Sequence, residues 1–402
     1  MTRLILMMAA LWGSHGFSQF RVVHFNIKEL DAVKLLDKDE QVTQSVAILD
    51  ELQGDFLSIN ELQYEMPGIP SPRVKTHGKN AAILAGLLRK DYKFTSFHEA
   101  NTGRDAKAMP SSKSYLVPEH KDFGRWRAKV ADHNNFGVFP GQYSTAGLYN
   151  HKKLREFVIA DLQWQMFHPK RDLSPFKNGL GKALPKTLEL FDKNFTDLTL
   201  EINGKPVHFI LLHTIPAFGF GNKQSPNFAR NADQLRFLEW YLTGSTDIPV
   251  PVEELKALGI SPLKKGSRFV AMGDWNTDVK ANNEGSAVLR RLFSKTNNVL
   301  SQKHSTYVGS DFSLGGFKGT LDYIVTSTNI RVKDQGIEFA DPMRKELGCF
   351  SKGSKPSASV NKGFKLVTYK QDSKVCYAKV SDRYYRHKIA SDHLAIWADL
   401  DL

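Results

Sequence analysis

The sequence predicts an α/β domain, and three observations predict it. Short apolar, β-branched runs alternate with segments whose apolar residues recur at helical spacing. Several of those runs end in acidic, amide or histidine residues, where sheets layered with helices gather their ligands. The chain has 402 residues, 41% hydrophobic and 24% charged, which suits a large buried core.

Residues 1–18 read as a removable export signal. Arg3 gives a positive start, Leu4 to Trp12 an apolar stretch, and Gly16-Phe17-Ser18 a small-x-small cleavage site before Gln19. That stretch is too short for a retained anchor, and no later run approaches eighteen apolar residues. A secreted or periplasmic protein without stable membrane insertion is therefore expected. No aromatic hairpin or amphipathic helix stands out as a membrane seat.

After the signal, Phe20 to Ile27 (FRVVHFNI) forms the first strand, with Asn26 near its end. Residues 39–53 set Val42, Val46, Leu49 and Leu52 on one helical face. The strand Asp55 to Ile59 runs into Asn60 and Glu61, and Glu61 is either a helix-capping charge or a metal ligand. Residues 79–90 predict a helix and 92–97 a strand, whereas 101–135 are polar and predict a surface excursion with little regular structure. A strand closes at Gly147-Leu148-Tyr149-Asn150.

A polar, Pro-bearing loop near 166–187 precedes NFTDLTLEI and KPVHFILLH, a hairpin across Asn203-Gly204 whose second strand ends at His213. Residues 228–242 predict an amphipathic helix and 245–267 a linker rich in Pro, Gly and Lys. RFVAMGDWN, Arg268 to Asn276, is a buried run stopped by glycine that delivers Asp274, Trp275 and Asn276 at its end. Asp322 begins the strand Gly319 to Ser327, and Ser391-Asp392-His393 opens the last one. Each polar residue has a plain structural reading: an Asx turn at Asp274 and Asn276, a satisfied core histidine at His213.

Taken together and in this order, FNI with Asn26, INE with Glu61, LLHT with His213, GDWN with Asp274 and Asn276, LDYI with Asp322, and SDH with Asp392 and His393 resemble the endonuclease/exonuclease/phosphatase superfamily. The resemblance spans residues 20–402. It implies one catalytic domain over 19–402, built as a DNase I-like four-layer α/β/β/α sandwich of two mixed sheets flanked by helices. It also implies a metal-dependent phosphoric ester hydrolase. Glu61 would be the leading ligand of Mg²⁺, with Mn²⁺ or Ca²⁺ as alternatives, Asn26 beside it and Asp392 contributing. Asp274 would orient or deprotonate water, Asn276 would position a phosphoryl oxygen, and His393 and His213 would share base and acid roles. Asp322 would orient and charge His393. The chain departs from the family's usual pattern at Asn60, Trp275 and the AGLYN stretch, where glutamine, phenylalanine or leucine, and Ser-Arg are common.

The net charge of +13 points to an acidic partner. From Met343 to Ala390, twelve Lys or Arg stand against three acids, a net of +9 leading into the SDH motif, with Tyr369, Tyr377, Tyr384 and Tyr385 interleaved. Lys352, Lys355, Arg383 and Arg386 are candidate contacts to a phosphodiester backbone, so a monomeric nuclease is preferred. The alternatives are a phospholipid or inositol-phosphate hydrolase, an inactive binding module, and, for the segment itself, a solvated lysine-rich loop. Cys349 and Cys376, the only cysteines, are expected to pair in an oxidising compartment and so tether that loop.

Overall fold

The computed structural model describes residues 19–110, 112–299, 305–309, 312, 317–338, 344–350, 362–371 and 374–402. Residues 1–18, which the sequence reads as an export signal, and Lys352 and Lys355 lie outside the described residues.

β1 (Phe20–Leu30) leads through α1 (Ala32–Asp37) and α2 (Glu40–Leu52) to β2 (Phe56–Leu62). Asp39 caps α2 by accepting from the Val42 amide, and the helix lays Val42, Ile48, Leu49 and Leu52 on the sheet. Next come α3 (Asn80–Ala85), β3 (Phe94–Phe97), α4 (Phe123–Val130), β4 (Ser144–Tyr149), β5 (Lys152–Ile159) and α5 (Trp164–Phe167). The hairpin β6 (Phe195–Ile202) and β7 (Lys205–Leu212) turns at Asn203 and Gly204, both with positive φ as this tight turn requires. Then follow α6 (Asn227–Thr243), α7 (Val252–Ala257), β8 (Phe269–Asp274), α8 (Glu284–Lys295), β9 (Asn297–Asn298), β10 (Asp322–Thr326) and β11 (Arg331–Ile337). The chain ends through β12 (Arg344–Phe350), β13 (Phe364–Gln371), β14 (Lys374–Ser381), α9 (Asp382–Ala390) and β15 (Ile396–Asp401).

Two six-stranded mixed sheets result, ordered β11-β15-β1-β2-β4-β3 and β5-β6-β7-β8-β10-β9. Between them Phe20, Val22 and Phe56 of the first sheet meet Phe209, Leu211, Val270, Met272 and Ile324 of the second, with Phe56 stacked on Phe209 at 4.3 Å. The outer face of the first sheet is covered by α2 and α3, and that of the second by α6 and α8. This is the four-layer α/β/β/α sandwich implied by the resemblance.

Alternation along the strands decides where the chemistry lies. Val22, Phe56, Leu211, Met272 and Ile324 point into the inter-sheet core. Two or four residues further toward one end of the sandwich, the same face carries His24 and Asn26, Ser58 and Asn60, His213, Asp274 and Asp322. β1 runs parallel to β2 and β7 to β8, while β10 lies antiparallel to β8 with Asp322 directly opposite Asp274. All these polar groups therefore emerge at one end, where the core gives way to a polar cluster.

Three stretches differ from the sequence reading. Residues 101–135 hold α4, and Leu116 and Val130 from this stretch form a small core with Val138 and Phe139 just beyond it. The linker 245–267 contains α7, which buries Leu255. The basic segment is more than a loop: β12, β14 and β13 form a separate three-stranded sheet packed on Val367, Tyr369, Ala378 and Val380. Cys349 and Cys376 face each other across β12 and β14 with Cα atoms 3.9 Å apart, and they are disulfide-bonded.

Candidate active site

The strand ends that build the site are irregular. Pairing of β1 with β2 slips between Asn26 and Leu30, and pairing of β2 with β4 slips between Asn60 and Leu62. Such bulges re-aim a side chain. Lys28, Glu29, Glu61, Tyr143 and Asn276 all have positive φ, an unfavourable conformation for these residues that clusters here.

Asn26 Nδ2 donates to Glu61 Oε1 and to Asp274 Oδ2, both at 3.0 Å, so one amide joins a carboxylate from each sheet. Its own oxygen accepts from the Lys28 amide. The second oxygen of Glu61 accepts from the Glu29 amide at 2.9 Å. Asn60 makes another link between the sheets, accepting from the Asp274 amide at 2.8 Å and donating to Thr145. Asp274 Oδ1 accepts from the Asn276 amide, and Oδ2 lies 3.6 Å from His213 Nε2 and 3.7 Å from His393 Nε2. Asn276 Nδ2 donates to the Thr214 carbonyl, holding the His213 loop against the Asp274 turn.

His393 Nδ1 lies 2.7 Å from Asp322 Oδ2, and the other oxygen of Asp322 lies 3.1 Å from His24 Nε2. The Ser391 hydroxyl donates to the Asn26 carbonyl and accepts from the His393 amide, which fixes the SDH turn beside β1.

Charge is unevenly held in this cluster. Burial, with Glu29 and Asp392 nearby, pushes Glu61 up to about 7. Burial also raises Asp274 to about 6, partly offset by His393. Burial opposes the Asp322 carboxylate, but His393 and His24 outweigh it and hold it below the usual range. His393 is held well above its ordinary value because Asp322 and Asp274 outweigh its burial. Burial and the charges of Lys193 and His393 keep His213 neutral. One carboxylate oxygen or imidazole nitrogen from each of Glu61, His213 and Asp274 falls within 4.8 Å of the others, and the same holds for Asp274, Asp322 and His393.

The structure thus brings together Asn26, Glu61, His213, Asp274, Asn276, Asp322 and His393. Asp392 is half-buried and close enough to Glu61 to raise it. Arg383 and Arg386 turn elsewhere: Arg383 pairs with Glu338 and Arg386 with Glu51 on α2, so in this structure they hold α9 against the body of the protein. His24, Glu29 and Tyr143 escaped the sequence reading. His24 is two residues from Asn26 on one strand, and that spacing is a usable signal. Glu29 and Tyr143, whose hydroxyl donates to the Glu29 carboxylate at 2.5 Å, meet only through the bulged backbone and left no such trace.

No protein-family model matches the chain, and no curated protein matches its sequence. Solved structures of similar fold include an endonuclease/exonuclease/phosphatase protein from Beutenbergia cavernae, at 16% identity and TM-score 0.49, covering 95% of this chain and 71% of that one. A mannosyl-6-phosphatase from Bacteroides thetaiotaomicron aligns at 12% identity and TM-score 0.47, over 95% of this chain and 99% of its own. Sphingomyelinase C from Streptomyces griseocarneus aligns at 13% identity and TM-score 0.44, over 95% and 99%.

Proposed function

We propose that this chain is a divalent-metal-dependent phosphoesterase that hydrolyses phosphodiester bonds of nucleic acid. The observation that carries the reading is the convergence of Asn26 and Glu61 from one sheet with His213, Asp274 and Asp322 from the other, and with His393, in one buried cluster. Glu61 fits a hard cation, because Glu29 and Asp392 crowd it with negative charge that a cation would relieve. Glu61 and Asp274 would hold the ion, with Asp392 nearby and Asn26 keeping the two carboxylates in place. A bound Mg²⁺, Mn²⁺ or Ca²⁺ would neutralise charge developing on the phosphate.

Every other part of the work falls to the chain's own groups. Asp274 orients water through the oxygen that faces the two histidines. His393, kept charged by Asp322, donates toward a phosphoryl or leaving oxygen. Neutral His213 offers Nε2 on the same side. Asn276 fixes the His213 loop, and its second N–H is the one a phosphoryl oxygen would take.

Nucleic acid is favoured by the +13 charge and by the basic three-stranded sheet that α9 joins to the SDH turn. The disulfide supports work in a secreted or periplasmic compartment. No helix among the described residues is long and apolar enough to cross a membrane. The test is purified protein with each metal against plasmid, RNA, sphingomyelin and an inositol phosphate. Hydrolysis of plasmid or RNA is expected; turnover confined to the lipid or the inositol phosphate would overturn the nuclease reading.

A further inference from the structure

The loop that follows His213 displays aromatic side chains to solvent. Phe218 and Phe220 are 59% and 67% exposed and pack edge to face at 4.9 Å, and Phe228 at the start of α6 is 45% exposed. Single exposed apolar residues are ordinary, but a cluster beside a site is not. The root of the loop is bonded to the catalytic turn. Thr214 accepts from the Asn276 side chain, the Ala217 amide donates to the Asn276 carbonyl at 3.2 Å, and the Phe218 carbonyl accepts from Asn227. A fourth exposed ring, Phe317 at 63%, lies 5.9 Å from Tyr307, which packs edge-on against His393 at 5.1 Å.

Positive charge adjoins the phenylalanine loop. Lys223 lies on it, and the neighbouring segment carrying Lys177, Lys182 and Lys186 is joined to it by the Lys177 amide to the Gln224 carbonyl at 2.9 Å and by Asn222 to the Lys177 carbonyl at 3.0 Å. Aromatic faces flanked by cations suit a polyanion whose bases are unpaired, since a stacked duplex offers no free base faces.

We infer that the site takes single-stranded nucleic acid, with bases beside the scissile phosphate stacking on Phe218 and Phe220, and on Phe317. This rests on the nucleic-acid reading and narrows it. The test compares a single-stranded DNA oligomer with an oligomer of the same length made of tetrahydrofuran abasic units, which keeps the backbone charge and lacks the bases. In Mg²⁺ the wild-type KM should be about tenfold lower for the base-bearing strand. In the doubly substituted Phe218→Ala/Phe220→Ala protein, which keeps only Phe317 for stacking, that ratio should fall several-fold with the melting temperature unchanged. Equal KM values in the wild type, or a ratio that survives the substitutions, would overturn the inference while leaving the nuclease reading intact. Binding to anionic vesicles that is lost in the double variant, with the KM ratio retained, would assign the loop to a lipid surface instead. Hydrolysis of neither oligomer, with an aryl phosphodiester still cleaved, would remove the nucleic-acid reading and this inference with it.

Discussion

Asp322 and His393, 71 residues apart in sequence, meet at 2.7 Å with Asp322 also held by His24. Both groups are buried, which alone would disfavour their charges, yet each keeps the other ionised. His393→Ala and Asp274→Asn should each lower kcat by about 10³-fold, the scale of a lost acid–base group. Asp322→Asn should cost less. Removing that carboxylate lowers the His393 pKa, so the limb of the kcat/KM profile governed by His393 should move to lower pH. Near wild-type rates in both His213→Ala and His393→Ala would refute the assignment.

If Glu61 holds a metal ion, metal binding and stability should be coupled through it. With no metal bound, its folded-state value of about 7 lies above that of an exposed glutamate, so the folded protein holds a proton that the unfolded chain releases. Stability of EDTA-treated protein should therefore fall as pH rises from about 4.5 to about 7, and added Mg²⁺ should recover it at the upper end. Glu61→Gln should flatten this dependence and weaken the response to Mg²⁺. Melting curves across that range decide it; a melting temperature that rises with pH in EDTA would contradict the assignment.

Much of this was legible because the site lies at strand ends and the core at strand middles. The Asn203-Gly204 turn fixes the β6–β7 register, and that register delivers His213 to the end of its strand. RFVAMGDWN shows its run, its stop and its acid in nine consecutive residues. Less visible was whatever depends on irregular backbone, such as Glu29 and Tyr143, or on a core hidden among charges. In Phe364–Gln371, FKLVTYKQ does alternate, with Val367 and Tyr369 buried, but the lysines around them read as a solvated loop. Charge alone marks Arg383 and Arg386 as candidate substrate contacts, and the sequence does not show the acids Glu338 and Glu51 that pair with them.

The Cys349–Cys376 bridge closes the β12–β14 sheet over a small core. In the chain-entropy model a loop of this length is worth about 3–4 kcal/mol, less any strain. A reductant should lower the melting temperature, and a non-reducing peptide map should show the two cysteines linked. Two titratable thiols in the folded protein would contradict the bond.

If the three-stranded sheet guides a polyanion, charge reversal should act on long substrates only. Lys370 and Lys374 are exposed on it, and Lys362 is exposed in the turn that leads into β13. Changing all three to Glu should raise KM for a long single strand several-fold and flatten its salt dependence, while an aryl phosphodiester is cleaved as before. Equal losses on the two substrates would tie the sheet to folding rather than to binding.

Metal-dependent phosphodiester hydrolysis at Glu61 and Asp274 is tested most directly by the turnover of a bis-aryl phosphate in Mg²⁺ and again in excess EDTA, with Glu61→Gln alongside. Turnover in Mg²⁺ that vanishes in EDTA and collapses in Glu61→Gln is the expected result. Undiminished turnover in EDTA, or none with Mg²⁺, Mn²⁺ or Ca²⁺, would contradict it.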